Sequence, residues 1–411
     1  MRDLRRVAVT RDKDLRRGAS VWTADPIPQV DQHELRSDAH ADVAIVGAGI
    51  SGAMVAEELS ARGFSVIVLD KRGPIRGSTA VSTALAQYDL DTPLLDLAGK
   101  IGIEKAVRAW QRSRSAMEDL AIRLKSLTIE CDLSRVPSIQ LCGNVLDADR
   151  MKDEYELRRS FAIPVEFLDR KKLLARFGID RDAALISSGD LQMHPLKMTA
   201  GFLNVAVANG ARIHSPVEVK EVSSDRNGVE LRTDAGAIVR AHYAVFATGY
   251  EVLKYVKLAG HRVDSTYAIA TRPQPQALWP ERAMIWEAAD PYLYIRSTPD
   301  GRVICGGEDE HIADAEARDE LLPQKIRTLQ RKLKELFPHL DTEAEFAWTG
   351  TFGTSTAGLP SIGAVPGMKN CYAILAFSGN GMIFSRIAAD LIGKAIQGIS
   401  DADADLFALP E

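Results

Sequence analysis

The sequence predicts an α/β fold: a doubly wound parallel sheet with a second, strand-rich domain beside it. Three observations carry this. An apolar run at 43–46 leads into glycines spaced G-x-G-x-x-G, at Gly47, Gly49 and Gly52. A helical stretch and a second apolar run at 65–69 follow, and that run ends in Asp70. Small-residue turns of similar character return far downstream, at 247–249 and 379–381, so pieces of one site are spread along the chain.

The run 43–46 (V-A-I-V) is wholly apolar, as a parallel strand buried on both faces must be. Gly47 permits a tight turn out of it. Gly49, lacking Cβ, leaves the backbone open to a pyrophosphate, and Gly52 lets the next helix lie close to the sheet. That helix is expected over 51–61, with Ala53, Val55, Ala56 and Leu59 turned inward. Its unpaired N–H groups and its dipole favour phosphate charge. Asp70 ends the next strand, where a carboxylate accepts hydrogen bonds from both ribose hydroxyls of an adenosine. An acid roughly 20 residues after the glycines completes a dinucleotide-binding fingerprint. An ordinary βαβ unit, whose glycines only turn the chain, is the alternative.

Residues 1–37 precede this unit as an N-terminal extension, and Pro26 and Pro28 break any helix there. The stretch 91–125 is largely helical, with apolar residues at three- and four-residue steps. Short strands are expected over 127–145, a charged, exposed helix over 149–160 and another helix over 169–177. An amphipathic helix covers 195–209, with Pro195 at its start and Gly210 past its end. Strands follow at 217–222, 229–233 and 238–247. Further strands at 263–273, 283–295 and 303–307 suggest a second sheet, and 314–337 is a long charged helix. From 348 onward the chain reads as Gly-rich turns and one last helix, 383–397.

The 411 residues suffice for two domains or one large discontinuous one. Apolar residues make 46% and charged residues 26%, as in ordinary globular enzymes, and a net charge of −5 argues against nucleic acid or an anionic membrane as partner. The basic N-terminus (Arg2, Arg5, Arg6, Arg11, Lys13, Arg16, Arg17) is interleaved with Asp3, Asp12 and Asp14. It is expected to be a solvated helix or a frayed tail, since no apolar core follows as in a targeting peptide. No apolar stretch approaches the roughly 20 residues of a membrane span. Cys131, Cys142, Cys305 and Cys371 show no paired spacing, so no metal site is expected. A cytoplasmic protein is the expectation.

A nicotinamide dehydrogenase usually completes its cofactor domain in one block; here cofactor-like pieces recur along the chain. Gly77, Ser78 and Thr79 follow the acid closely and present hydroxyl and N–H groups to the same pyrophosphate. Ala247, Thr248 and Gly249 form a small turn at a strand end. Gly379, Asn380, Gly381 and Met382 open the last helix, whose N–H groups suit the N1–C2=O edge of a flavin, where negative charge appears on reduction.

Together with G-L-P-S-I-G at 358–363, these residues resemble the D-amino-acid oxidase superfamily of flavoproteins, from about Asp42 to Gly398. Within it, G-S-T-A-V-S-T-A-L at 77–85 and Y-L-Y-I-R-S-T-P-D-G-R at 292–302 look most like the gamma-glutamylputrescine oxidoreductase-like and glycine oxidase-like branch. The resemblance implies FAD across the doubly wound domain and a second, α+β substrate domain built on a large antiparallel sheet. It implies a discontinuous FAD domain, 38–95, 190–250 and 348–411, with 96–189 and 251–347 as substrate domain. The cofactor set is then Gly47, Gly49, Ile50, Ser51, Gly52, Asp70, Lys71, Gly77, Ser78, Thr79, Val217, Ala247, Thr248, Gly249, Gly379, Asn380, Gly381 and Met382. Relatives that attach FAD covalently carry a His after G-S-T; Val81 stands there, so non-covalent FAD is implied. The implied reaction oxidises the C–N bond of an amine or amino acid: hydride goes to flavin N5, the imine hydrolyses, and oxygen or another acceptor reoxidises the flavin.

Tyr292, Tyr294 and Arg296 alternate along one strand and share one face. Facing the flavin, they would hold a substrate carboxylate. On an outer face, the tyrosines would only pack on the arginine's stem. His194 reads as a helix-start packing residue rather than a base, and Trp286 and Trp348 as core rather than pocket. Hydride transfer needs a neutral amine, and the base is open between a side chain and solvent. Two other readings stand: a flavin-dependent alcohol or 2-hydroxy-acid dehydrogenase, and a flavin-holding electron-transfer subunit.

Overall fold

The apolar run 43–46 lies inside the strand Ala39–Val46, whose Val43, Ala44 and Ile45 are fully buried. In the computed structural model, which describes residues 7–8, 14–251, 253–254, 256, 260–356, 358–375 and 378–410, this strand is central to the first of two large sheets. It pairs in parallel with Val66–Leu69 on one side and with Ile238–Phe246 on the other. Arg212–His214 extends the parallel set beyond Val66–Leu69. Ile238–Phe246 forks: its first half pairs antiparallel with Val229–Thr233, its end in parallel with Cys371–Leu375. Sequence-distant pieces thus enter one sheet. The helices Ile50–Ala61, Pro195–Ala208 and Gly381–Ile396 lie together on one face, and Ser51 Oγ meets Ser385 Oγ at 2.8 Å between the first and last.

The second sheet runs in the order Arg16–Ala19, Ala344–Ser355, His261–Thr271, Val303–Glu310, Leu293–Ser297, Met284–Glu287, Ser134–Leu141, Ala183–Gln192, Leu85–Ala86. It is antiparallel except between Met284–Glu287 and Ser134–Leu141. The helix Ala315–Leu336 covers one face, burying Leu329, Leu333 and Leu336 against Tyr267, Ile269 and Ile295. Across the other face, paired residues place Trp286, Tyr294, Gly306, Ala268 and Trp348 in one row. A Cβ on Gly306 would stand 2.3 Å from the Tyr294 ring, so the tyrosine lies flat over its neighbour strand only because a glycine is there.

Several expectations are corrected. The stretch 283–295 is two strands, Met284–Glu287 and Leu293–Ser297, with a turn between. The first part of the Gly-rich region, 348–355, lies in a 12-residue strand, Ala344–Ser355, where glycine suits the close approach: a Cβ on Gly350 would sit 3.0 Å from Val81 Cγ2. Ala183–Gln192 was not anticipated as a strand. Its Ser187 and Asp190 resemble turn residues, yet Ser187 Oγ donates to Asp89 at 2.8 Å and Asp190 accepts from Ser138 Oγ at 2.5 Å. Arg16 and Arg17 form a strand rather than a helix or frayed end. Arg2, Arg5, Arg6, Arg11 and Lys13 lie outside the described residues.

The helix Ala148–Ser160 is charged but not wholly exposed. Arg158 is fully buried, bonded to Glu154 at 2.7 Å and Asp89 at 2.9 Å, and stacked on Trp110. Leu85–Ala86, 190–192 and 348–355, expected in the FAD domain, pair within the second sheet. Among the described residues no helix is long and apolar enough to cross a membrane.

Candidate functional site

A cavity of about 1860 Å³, counting its open mouth, runs between the two sheets. One end is built where strands of the first sheet stop. Gly47 takes φ +110°, and a Cβ there would be 2.3 Å from Ala247 O, so the two turns touch backbone to backbone. Gly52 does not line the cavity. A Cβ on it would be 1.8 Å from Gly47 O, which is the helix-to-strand contact the sequence expects of it. Gly49, Ile50 and Ser51 bring the start of the helix Ile50–Ala61 to the wall, where Ile50 N donates to Thr79 Oγ1 at 3.2 Å.

Asp70 lies at this end and takes three backbone donors: Ala48 N at 2.7 Å on Oδ2, and Arg72 N at 2.8 Å and Gly73 N at 2.9 Å on Oδ1. Burial raises its pKa, against these N–H groups, which favour the charged form. Lys71 and Arg72 beside it both pair with Glu251, at 2.9 and 2.7 Å. Gly77, Ser78 and Thr79 line the wall next to the helix start. Val217, Ala247, Thr248 and Gly249 line the opposite side, and Gly379, Asn380, Gly381 and Met382 close it from the last helix. Gly379 N donates to Asp91 Oδ2 at 2.6 Å, and Asn380 Nδ2 donates to Asp89 O at 2.7 Å. Ser78 Oγ is buried here without a hydrogen-bond partner. A glycine-lined cradle with an unpartnered hydroxyl at a helix start fits a pyrophosphate, so these residues suit FAD. Phe377, just before this segment, lies outside the described residues.

The other end is the face of the second sheet. Tyr292, Tyr294, Thr266 and Trp286 line it. The Thr266 and Tyr294 hydroxyls are 3.1 Å apart, and the Tyr292 and Tyr294 rings 5.9 Å. Burial, with the nearby Asp309 charge, pushes both phenols well above the ordinary tyrosine range. They are therefore hydrogen-bond donors near neutral pH, not bases.

Arg296 shares this face but does not line the cavity, which corrects its expected place against the substrate. Only 1% of it is exposed, and its guanidinium is spent on carbonyls. One nitrogen donates to Ala84 O at 2.6 Å, Met193 O at 3.1 Å and Thr83 O at 3.4 Å, while Nε reaches Ser297 O at 3.2 Å. Burial pulls its pKa down to about 9. Arg296 fastens the segment 77–85, which passes between it and the cavity. Other side chains hold the same segment: Trp348 Nε1 donates to Val81 O at 3.0 Å, Trp22 Nε1 to Ser82 O at 2.6 Å and Ser20 Oγ to Ala80 O at 2.6 Å. His194 packs on Trp22 at 4.8 Å, and burial lowers its pKa to about 4.

Sequence reasoning missed Asp91, Tyr250, Glu251, Thr266 and Asp309. A signal existed for the last: Gly306-Gly307 in a strand pattern marks a bulge, and bulges re-aim side chains.

Comparison with known proteins agrees with this geometry. The family described as DAO, FAD dependent oxidoreductase, matches residues 42–395. The probable oxidoreductase OrdL of Haemophilus influenzae is 24% identical over 375 residues, covering 87% of this chain and 83% of that protein. Glycine oxidase of Geobacillus kaustophilus is also 24% identical, over 87% of this chain and 93% of its own. Its crystal structure superposes with a TM-score of 0.74 at 22% identity, covering 91% of this chain and 99% of that one. The L-proline dehydrogenase of P. horikoshii gives 0.74 at 18% identity, covering 91% and 97%. The chain belongs to the DAO family of FAD-dependent oxidoreductases.

Proposed function

We propose that this protein oxidises the C–N bond of a small amine or amino acid, with hydride leaving the carbon beside nitrogen and the resulting imine hydrolysing. The observation that carries this reading is one continuous cavity, lined by a dinucleotide cradle at one end and by an aromatic sheet face at the other. FAD, when bound, supplies the hydride acceptor. The turn at Gly47 and Gly49, the segment 77–79 and Asp70 would hold its nucleotide part, and 379–381 the flavin edge.

The chain's own contribution at the other end is binding and exclusion of water. Tyr292, Tyr294 and Thr266 offer hydroxyls to a bound substrate, while Trp286 and Phe352 supply apolar wall. The phenols stay protonated, so the neutral amine that hydride transfer needs arises from solvent or from a carboxylate. The relative named glycine oxidase, similar over most of both chains, supports a C–N substrate.

The test is anaerobic spectrophotometry of the purified yellow protein. The panel holds amines, D- and L-amino acids, N-methyl amino acids and 2-hydroxy acids. Bleaching by a C–N compound and not by hydroxy acids is the expected result. Bleaching by hydroxy acids alone moves the assignment to alcohol oxidation. No bleaching by any of them, with a protein partner still bound, moves the assignment to an electron-transfer subunit.

A further inference from the structure

The strand Val303–Glu310 ends irregularly. Gly307 takes φ +122° and Glu308 φ +54°, and the pairing with His261–Thr271 slips between Tyr267, opposite Gly307, and Ser265, opposite Glu310. Such a bulge turns the next side chains. Glu308 and Glu310 point to the covering helix, where Lys332 and Lys325 meet them. Asp309, between them, goes to the opposite face and accepts from the Tyr292 and Thr266 hydroxyls, so it stands directly behind the part of the cavity wall that those two residues line. Its Oδ1 is buried and has no hydrogen-bond partner among the described residues. A buried carboxylate oxygen without a donor is costly, and a bound cation relieves it.

The charges of the cavity point the same way. Among its described lining residues, the lysine and arginine are Lys71 and Arg72, next to Asp70 at the nucleotide end and engaged with Glu251. Arg296, the candidate for a carboxylate anchor, is committed to backbone carbonyls. The sheet-face end thus offers acids and π faces: Asp91 on its wall, Asp309 behind the Tyr292 and Thr266 hydroxyls, and the rings of Tyr292, Tyr294 and Trp286. That set attracts an ammonium and repels a carboxylate.

We propose that the sheet-face end of the cavity is a recognition site for an ammonium group, with the Asp309 carboxylate as counter-ion and the Tyr292 and Tyr294 rings as walls. The substrate class is then a cationic amine rather than an amino acid anchored through its carboxylate. This rests on the reading of the cavity as a site of C–N oxidation and narrows it.

The experiment compares two ions of one shape. Tert-butylammonium and pivalate differ in charge, and neither carries a hydrogen on the carbon beside its charged group that could be oxidised away. Each is titrated calorimetrically into the protein as purified, with flavin content measured separately. Tert-butylammonium is expected to bind at least tenfold more tightly than pivalate. Asp309→Asn is expected to weaken it at least tenfold with flavin content unchanged, and Tyr294→Leu to weaken it less. Pivalate binding as tightly as tert-butylammonium to the wild type, a comparison that needs no variant, overturns the proposal. So does a folded Asp309→Asn protein that binds the ammonium unchanged. Absence of flavin sinks the functional reading alone, because the heat of ion binding is read without it.

Discussion

At the nucleotide end of the cavity the groups turned inward are mainly backbone: the Gly47 turn, the start of the helix Ile50–Ala61, and the turn 247–249 pressed against it. At the sheet-face end they are side chains from separate strands: Trp286, Tyr292 and Tyr294, and Thr266. Backbone presented by glycines recognises what every dinucleotide shares. Side chains crossing several strands set what differs from one substrate to another. One end is therefore specified by several short local patterns, the other by the register in which neighbouring strands pair.

The comparison can be broken by experiment, and the largest effect is expected at the first end. Gly52→Ala places a Cβ 1.8 Å from Gly47 O, backbone against backbone, so helix and strand must part. A loss above about 3 kcal/mol and a colourless protein are expected, read by thermal melting and FAD content. Near-wild-type melting would show that the contact yields.

Asp70→Ala removes the acceptor of three N–H groups and the expected ribose partner. At about 1.5–3 kcal/mol for a hydrogen bond to a charged group, FAD affinity should fall roughly tenfold to a hundredfold. Fluorescence titration of the apoprotein measures it, and the reductive half-reaction at saturating FAD should stay near wild type.

Arg296→Met sharpens the comparison, because Arg296 belongs to the second sheet yet serves the cradle. It leaves the carbonyls of Ala84 and Met193 short of a donor, offset in part by removing a buried cation. We expect about 2 kcal/mol of destabilisation and faster FAD loss, with substrate KM unchanged. A steep rise in KM without destabilisation would return Arg296 to the substrate.

The smallest effect is a pH dependence confined to the sheet-face end. Burial, with Asp264 and Asp91 nearby, lifts the Asp309 pKa to about 6, while the Tyr292 and Thr266 hydroxyls oppose it. Its charged form is therefore present above pH 6 and lost below. Ammonium binding should weaken as pH falls through about 6, by roughly tenfold per further unit. Calorimetry against pH checks this, and the inflection should vanish in Asp309→Asn.

Legibility followed the same divide. All the expected cofactor residues except Gly52 line the cavity, and Gly52 sits one contact behind it. Their signals are local: glycine spacing, an acid at a strand end, small residues before a helix. Tyr292 and Tyr294 were legible as sharing a face, since alternation fixes that much. Arg296 shares it too, but alternation does not say that 77–85 covers one end of that face and leaves the other open. The strand Ala183–Gln192 was not anticipated, because the partners of its Ser187 and Asp190, Asp89 and Ser138, are far away in sequence.

The sequence by itself determined the doubly wound sheet and the glycine-rich residues that line one end of the cavity, because each depends on conformations that a few consecutive residues impose: a short apolar strand, a positive φ at Gly47 after it, and a helix start at Ile50. Only the tertiary structure decided that Arg296 binds carbonyls while one oxygen of the Asp309 carboxylate is left without a donor. Which side chain meets which is set by register, by one bulge at Gly307 and Glu308, and by the segment that passes over the sheet, and those are properties of strands brought together from the whole chain.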